Sequence, residues 1–131
     1  MKKGKMLNSD IIEIISRMGH TDEIVIADAG LPIPDHIPRI DLALVPGIPG
    51  FLDVLDALLE TYECESYIIA NEITEFNAEL ETEIKERMSG ITSAYLSHEE
   101  LKERCHNVKA VIRTGECSPY ANIILKSGVI F

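Results

Sequence analysis

Short apolar runs alternate along this 131-residue chain with segments whose apolar residues recur at helical spacing. The runs predict strands over 24–27, 39–45, 67–70, 91–96 and 110–113, and a closing strand or hairpin built from 123–125 and 129–131. The periodic segments predict helices over 11–18, 51–60, 75–88 and 97–104. Strands that alternate with helices form a mixed or mainly parallel sheet covered by helices on both faces, so the expected class is α/β.

Local end signals support the helix assignments. Asn8, Ser9 and Asp10 offer N-cap oxygens to the first helix, and Gly19 stands where a helix of that length should end. Ser97, followed three residues later by Glu100, offers a cap to the last helix. A polar loop should therefore begin directly after the first helix, at His20.

Charge and cysteine content exclude several classes of protein. The formal net charge is −10, which disfavours a nucleic-acid partner because such binding depends on Lys and Arg neutralising phosphates. Three cysteines without C-x-x-C spacing argue against a disulfide framework and a zinc site. No apolar run approaches the ~20 residues that cross a bilayer. We therefore expect a single cytoplasmic domain over residues 1–131, with no membrane or nucleic-acid partner.

Polar residues stand at the predicted ends of strands, where α/β folds usually bind ligands. Asp28 ends the first strand, and Asn71, Ser97 and Thr114 follow three others. A carboxylate at a strand end needs partners, so Asp28 predicts a nearby ligand hydroxyl or histidine; a loop-capping role is the alternative.

His20 is the first candidate for proton transfer. It follows a helix C-terminus, and a histidine can give or take a proton near neutral pH. The alternative is an ordinary helix cap. His98 follows the Ser97 cap and reads first as a helix start, whereas His36 and His106 are expected at the surface.

The segment Tyr120-Ala121-Asn122 follows Pro119 in a loop. A Tyr hydroxyl and an Asn amide supply the oriented donors and acceptors that read sugar hydroxyls, although a turn with one buried Tyr would explain the same residues. Cys117 in this loop has no evident base beside it and is expected to be a small packed residue. No phosphate-binding glycine loop and no paired metal ligands occur, so no cofactor or metal is expected.

Several motifs together resemble the ribose/fucose mutarotase family. They are Lys2-Lys3-Gly4, Leu7 to Ile11, Met18-Gly19-His20-Thr21-Asp22, Asp28 to Pro34, Arg39-Ile40-Asp41 and the closing run from Val111 to Leu125. The resemblance extends from end to end, and residues 50–95 match mainly in pattern. It implies a three-layer α/β/α fold with a mixed, mainly parallel central sheet, and ring-like homo-oligomers, typically decamers.

The family resemblance also implies an activity and the residues that perform it. The family interconverts pyranose and furanose forms of a free sugar without a cofactor. Matched position by position, His20 corresponds to the catalytic proton donor, and Asp28, His98 and the segment Tyr120-Ala121-Asn122 correspond to substrate-binding positions. His20 with Asp28 would form one wall of a sugar site and Tyr120 with Asn122 another, within one subunit or across two.

Two other functions stay open at this point. One is the sister activity on fucose, although Asp28 to Pro32 and Glu116 to Asn122 favour the ribose branch. The other is a non-catalytic sugar-binding accessory protein of ribose uptake. Only His20 argues against the second alternative, because binding alone needs no acid there.

Overall fold

A six-stranded sheet forms the centre of the computed structural model, which describes residues 1–131. The strands are β1 (Glu23–Ala27), β2 (Arg39–Asp41), β3 (Cys64–Ala70), β4 (Thr92–Leu96), β5 (Val111–Arg113) and β6 (Ile123–Ser127). Their order across the sheet is β2-β5-β1-β6-β3-β4. Only β6 runs antiparallel to its neighbours, β1 and β3. The sheet is therefore mixed and mainly parallel, as predicted.

Helices cover both faces of this sheet. They are α1 (Ser9–Arg17), α2 (Phe51–Leu59), α3 (Ile73–Phe76), α4 (Ala78–Arg87) and α5 (His98–Arg104), with a 3₁₀ turn at Cys105–Asn107. No helix is both long and apolar enough to cross a membrane.

Alternation along the strands divides the core into two parts. On β1, Ile24 and Ile26 pack into the larger cluster with residues of α1, α2 and α4. Val25 and Ala27 point the other way, into a smaller cluster that includes Leu101 of α5. Because successive strand side chains face opposite sides, a strand buried on both faces must be apolar throughout. This confirms the three-layer α/β/α class.

The predicted caps are present. The Asn8 side chain accepts a hydrogen bond from the Ile11 N–H at 2.9 Å. Ser97 and Glu100 form the reciprocal capping box, each side chain accepting from the other residue's N–H at 3.1 Å. These bonds set where α1 and α5 begin.

Four details of the predicted elements were wrong. The second strand stops at Asp41 rather than residue 45, because Val45 bridges back to Ile48 in a local turn. The acidic helix predicted over 75–88 is two helices that meet at Asn77, whose φ of −153° is not helical. Residues 129–131 form no strand. The left-handed residue after α1 is Thr21, with φ +71°, and not Gly19.

The three cysteines differ in how far they are buried. Cys64 and Cys105 are buried, and burial raises the pKa of each thiol to about 11. Cys117 is exposed. Since the thiolate is the reactive form, the two buried thiols should be inert in the folded protein.

We expect a thiol-reactive chromophore to modify at most one cysteine per folded chain at pH 8, and all three in denaturant. Cys117→Ser should abolish the native reaction and leave two thiols after unfolding. Rapid native labelling of a second cysteine would contradict the assigned burial.

Candidate functional site

The carboxyl ends of the parallel strands meet at one edge of the sheet, which we call the carboxyl edge. Asp28 follows β1 and His98 follows β4 at this edge. Tyr120 and Asn122 precede β6, and because β6 is antiparallel its start lies at the same edge, where Ile123 pairs with Ile26 and Ile69. The fold therefore gathers four of the predicted site residues from three distant parts of the chain.

Asp28 and Asn122 hold one another through two reciprocal contacts. The Asn122 Nδ2 donates to Asp28 Oδ2 at 3.1 Å, and the Asp28 N–H donates to Asn122 Oδ1 at 2.9 Å. The other carboxylate oxygen of Asp28 accepts from the Gly30 N–H at 2.9 Å. Asn122 is fully buried. The carboxylate is thus fixed in orientation, and its partners are an amide and a turn rather than a histidine.

Aromatic contacts join His98 to the same group. The His98 and Tyr120 rings meet edge to face with centroids 5.2 Å apart, and Phe76 lies 5.7 Å from Tyr120. His98 Nδ1 is buried and has no hydrogen-bond partner within the chain. Glu72 anchors the His98 main chain, since both its carboxylate oxygens accept from the His98 N–H, at 3.0 and 3.2 Å. Buried polar atoms are nearly always hydrogen-bonded, so this nitrogen is an exception in the structure.

Tyr120 has a left-handed backbone, with φ +57°. Asn77, at the junction of α3 and α4, donates its Nδ2 to Ser118 Oγ at 3.1 Å and to Pro119 O at 2.8 Å. Non-glycine residues pay a conformational cost at positive φ, so surrounding bonds must hold them there. Asn77 supplies such bonds directly before Tyr120. Ala121 has its side chain in the core, leaving only its main chain for ligand contact.

Glu116 ties this loop to the start of α2. Its Oε1 accepts from the Phe51 N–H at 3.0 Å and its Oε2 from the Ser118 N–H at 3.3 Å. Burial alone would raise the pKa of the Glu116 carboxyl, but these hydrogen bonds outweigh burial and hold that pKa below its ordinary value. The helix terminus adds a favourable field for the negative charge.

Close packing leaves no room for a side chain at the base of the same loop. A Cβ on Gly115 would lie 2.5 Å from Ile48 O and 2.7 Å from Val45 O. An open cleft lies next to this loop, lined by Asp28 to Gly30 and Glu116 to Pro119. The loop therefore has a rigid base and an exposed outer side, on which Cys117 stands.

His20 lies at the opposite edge of the sheet, which we call the amino edge. It precedes β1, and the Thr21 N–H donates to Ser127 O at the end of β6, at 2.9 Å. The five residues of β1, at about 3.3 Å each, separate the two edges by roughly 16 Å. His20 and Asp28 therefore do not form one wall within a single chain. Asp28 cannot orient the His20 ring of its own subunit.

The surroundings of His20 are open. Its Nε2 lies 2.6 Å from Glu65 Oε2, and its side chain is 52 % exposed. A hollow beside it is lined by Met18, Tyr62, Glu63 and the last residues, 127–131. His36 and His106 are exposed, as expected, and stack on each other at 5.7 Å.

Sequence reasoning missed Glu72, Asn77 and Glu116. Each acts on a site residue that is remote in sequence or through a backbone group, and no motif encodes such contacts. Two of them left a signal in the sequence: Asn77 is a cap-forming residue inside a predicted helix, and Glu116 lies in the closing motif from Val111 to Leu125.

Comparison with known proteins identifies the class first. The fold closely matches that of Bacillus subtilis RbsD complexed with D-ribose, with a TM-score of 0.98 and 50% identity over the whole of both chains. It also matches the fucose mutarotase from Streptococcus pneumoniae in complex with L-fucose, with a TM-score of 0.78 and 30% identity over 95% of each chain. The class is thus an α/β/α protein related to sugar-binding mutarotases.

The family follows from sequence. A model of the RbsD / FucU transport protein family matches residues 1–130. D-ribose pyranases of Clostridium novyi and Clostridium perfringens are 54% and 53% identical over 131 residues, covering all of both chains. The chain belongs to the RbsD / FucU family, which confirms the resemblance drawn from its motifs.

We expect Glu116→Gln to lower the free energy of unfolding by about 1 kcal/mol at pH 7, because the helix start loses a charged acceptor. A carboxyl with a lowered folded pKa stabilises fully above its unfolded pKa of ~4.3, and that contribution disappears as pH falls. The difference between wild type and variant should therefore shrink below about pH 4.

Urea unfolding at fixed chain concentration measures this difference. Glu86→Gln is the matched control, because Glu86 is exposed and its side chain makes no hydrogen bond. An equal effect of the two substitutions at pH 7 would refute the capping role of Glu116.

Proposed function

We propose that this protein is a D-ribose pyranase, an isomerase that interconverts the β-pyranose and β-furanose forms of D-ribose. The proposal treats residues 1–131 as one domain and places the protein in ribose catabolism in the cytoplasm. The observation that carries it is the convergence of Asp28, His98, Tyr120 and Asn122 at the carboxyl edge of a chain half identical to D-ribose pyranases.

The carboxyl edge offers the groups that a sugar needs. Asp28 presents a fixed carboxylate, Tyr120 a hydroxyl and His98 an imidazole ring. Sugar hydroxyls both donate and accept, so a set with both kinds of partner can fix several of them at once. Asn122 positions Asp28 and is held in turn by the buried start of β6.

Ring interconversion is a proton-transfer reaction. In the opening step the protonated His20 gives its proton to the ring oxygen as the bond from that oxygen to the anomeric carbon breaks. The electron pair of the anomeric O–H bond forms the carbonyl, and its proton passes to the now neutral imidazole, directly or through water. Closure through the other hydroxyl repeats the exchange in reverse. Such general acid–base catalysis contributes about 10²–10⁴-fold.

A second copy of the chain must bring His20 to the sugar. A proton donor has to lie within about 2.6–3.2 Å of its acceptor, whereas the edges of one chain are separated by roughly 16 Å. A pentose is much shorter than that separation. The site we propose therefore combines the carboxyl edge of one copy with the amino edge of the next.

Exposed apolar residues stand at both edges. Leu44, Val45 and Ile48 lie near the base of the site loop, and Ile130 and Phe131 end the chain beside His20. A contact between unlike edges is head-to-tail, and head-to-tail contacts form a ring when the rotation from one copy to the next closes. This agrees with the ring-like homo-oligomer, a decamer, that the family resemblance implies.

The sugars bound by two solved relatives point to one alternative substrate. The fucose mutarotase shares 30% identity and the Bacillus subtilis RbsD 50%, so ribose is the substrate we propose and L-fucose the one to compare. A sugar-binding role without turnover would leave exchange between ring forms at its uncatalysed rate.

Saturation-transfer NMR on free D-ribose tests the proposal. The protein should accelerate pyranose–furanose exchange, and His20→Ala should reduce that acceleration by about 10²-fold or more while ribose still binds. His36→Ala is the control and should retain the rate, because this exposed histidine contacts His106 and none of the proposed site residues. An intact protein that binds ribose without accelerating exchange would support the binding role instead.

A further inference from the structure

Glu65 forms a direct pair with His20. The Nε2 and Oε2 atoms are 2.6 Å apart, and the side chains are 52 % and 39 % exposed. Exposed ion pairs typically contribute only ~0–1 kcal/mol to stability. The contact should therefore affect the hydrogen bonding of the imidazole ring more than the stability of the fold.

An irregularity in β3 aims Glu65 at this position. Cys64 pairs with Ser127 and Ser66 pairs with Lys126, so Glu65 is the extra residue of a bulge opposite β6. Bulges redirect side chains and often occur beside active sites. The other side of the contact is set by Thr21, whose left-handed φ of +71° turns the chain beside Ser127.

The chemistry of the pair is directional. An ionised carboxylate only accepts hydrogen bonds, so the imidazole Nε2 must carry the hydrogen whether His20 is neutral or protonated. Nδ1 is then the nitrogen that gains and loses the proton. The contact therefore determines which ring atom is available for proton exchange.

We propose that Glu65 is a positioning residue that fixes the Nε2–H tautomer of His20 and leaves Nδ1 to exchange the proton with the sugar. This inference rests on the proposed function, in which His20 is the donor. Proton transfer begins and ends at Nδ1. Nδ1 gives its proton to the ring oxygen of the sugar and then accepts the proton of the anomeric hydroxyl. Glu65 accepts the hydrogen bond from Nε2–H and does not itself exchange a proton with the sugar.

The other acidic groups near His20 do not make this contact. Asp22 accepts from the Gly19 N–H at 2.9 Å and lies 3.9 Å from Lys109 Nζ. Glu63 lines the same hollow, and its side chain makes no hydrogen bond to His20. Glu63→Gln removes the same charge two residues away, so it is a matched control for Glu65→Gln.

The test combines a spectroscopic readout with a kinetic one. Long-range ¹H–¹⁵N spectra of the full-length protein report the tautomer of each neutral histidine, and His20→Gln identifies the signals of His20. Wild type and Glu63→Gln should show His20 with the hydrogen on Nε2. Glu65→Gln should show a mixture, because a carboxamide can donate as well as accept.

Exchange of D-ribose ring forms should fall about tenfold in Glu65→Gln with ribose affinity unchanged, and should stay at the wild-type rate in Glu63→Gln. Glu65→Asp should recover part of the loss. An unchanged tautomer in Glu65→Gln, or equal rates for the two Gln variants, would overturn the inference. Full activity of His20→Ala would instead refute the proposed donor, whatever the tautomer spectra show.

Discussion

The backbone ladder of β6 holds the two halves of the sheet together. The parallel strands form two groups, β2-β5-β1 and β3-β4, and β6 pairs with β1 on one side and β3 on the other. Because β6 runs in the opposite direction, its start lies at the carboxyl edge and its end at the amino edge. Asn122 therefore meets Asp28 at one end of the strand, while Ser127 anchors the His20 turn at the other.

This strand arrangement explains why the candidate site residues are divided between the two edges of the sheet. The side chains that we propose bind the sugar lie where the parallel strands end, which is where other α/β folds usually bind ligands. His20, the proton donor we propose, lies at the other end of β1, in contact with Glu65 of the β3 bulge. The proposed reaction therefore requires two copies of the chain. Because the two edges of one chain are far apart, an isolated subunit has no complete site.

Much of the fold could be predicted from the sequence. The features that could not be predicted depend on contacts between segments that are distant in the chain. Apolar runs such as Ile24 to Ala27 indicated the strands, and Asn8 and Ser97 indicated helix starts, because these signals are local. The position of β6 between β1 and β3 is set by pairing across distant segments, so no local pattern encodes it. The same holds for the contacts of Glu65 and Glu116, which depend on which loops the sheet brings together. The roles of the site residues were assigned through motif resemblance, since from its own position in the sequence His20 was more simply explained as a helix cap.

Mixed assemblies test the central claim most directly. His20→Ala and Asp28→Ala chains, each inactive alone, are co-expressed with different tags and isolated as mixed oligomers. If each site takes His20 from one copy and Asp28 from its neighbour, random mixing at equal amounts restores up to about a quarter of the sites, and D-ribose exchange recovers accordingly. Mixed oligomers that remain inactive, while wild-type chains isolated in the same way accelerate exchange, would contradict a site shared between copies.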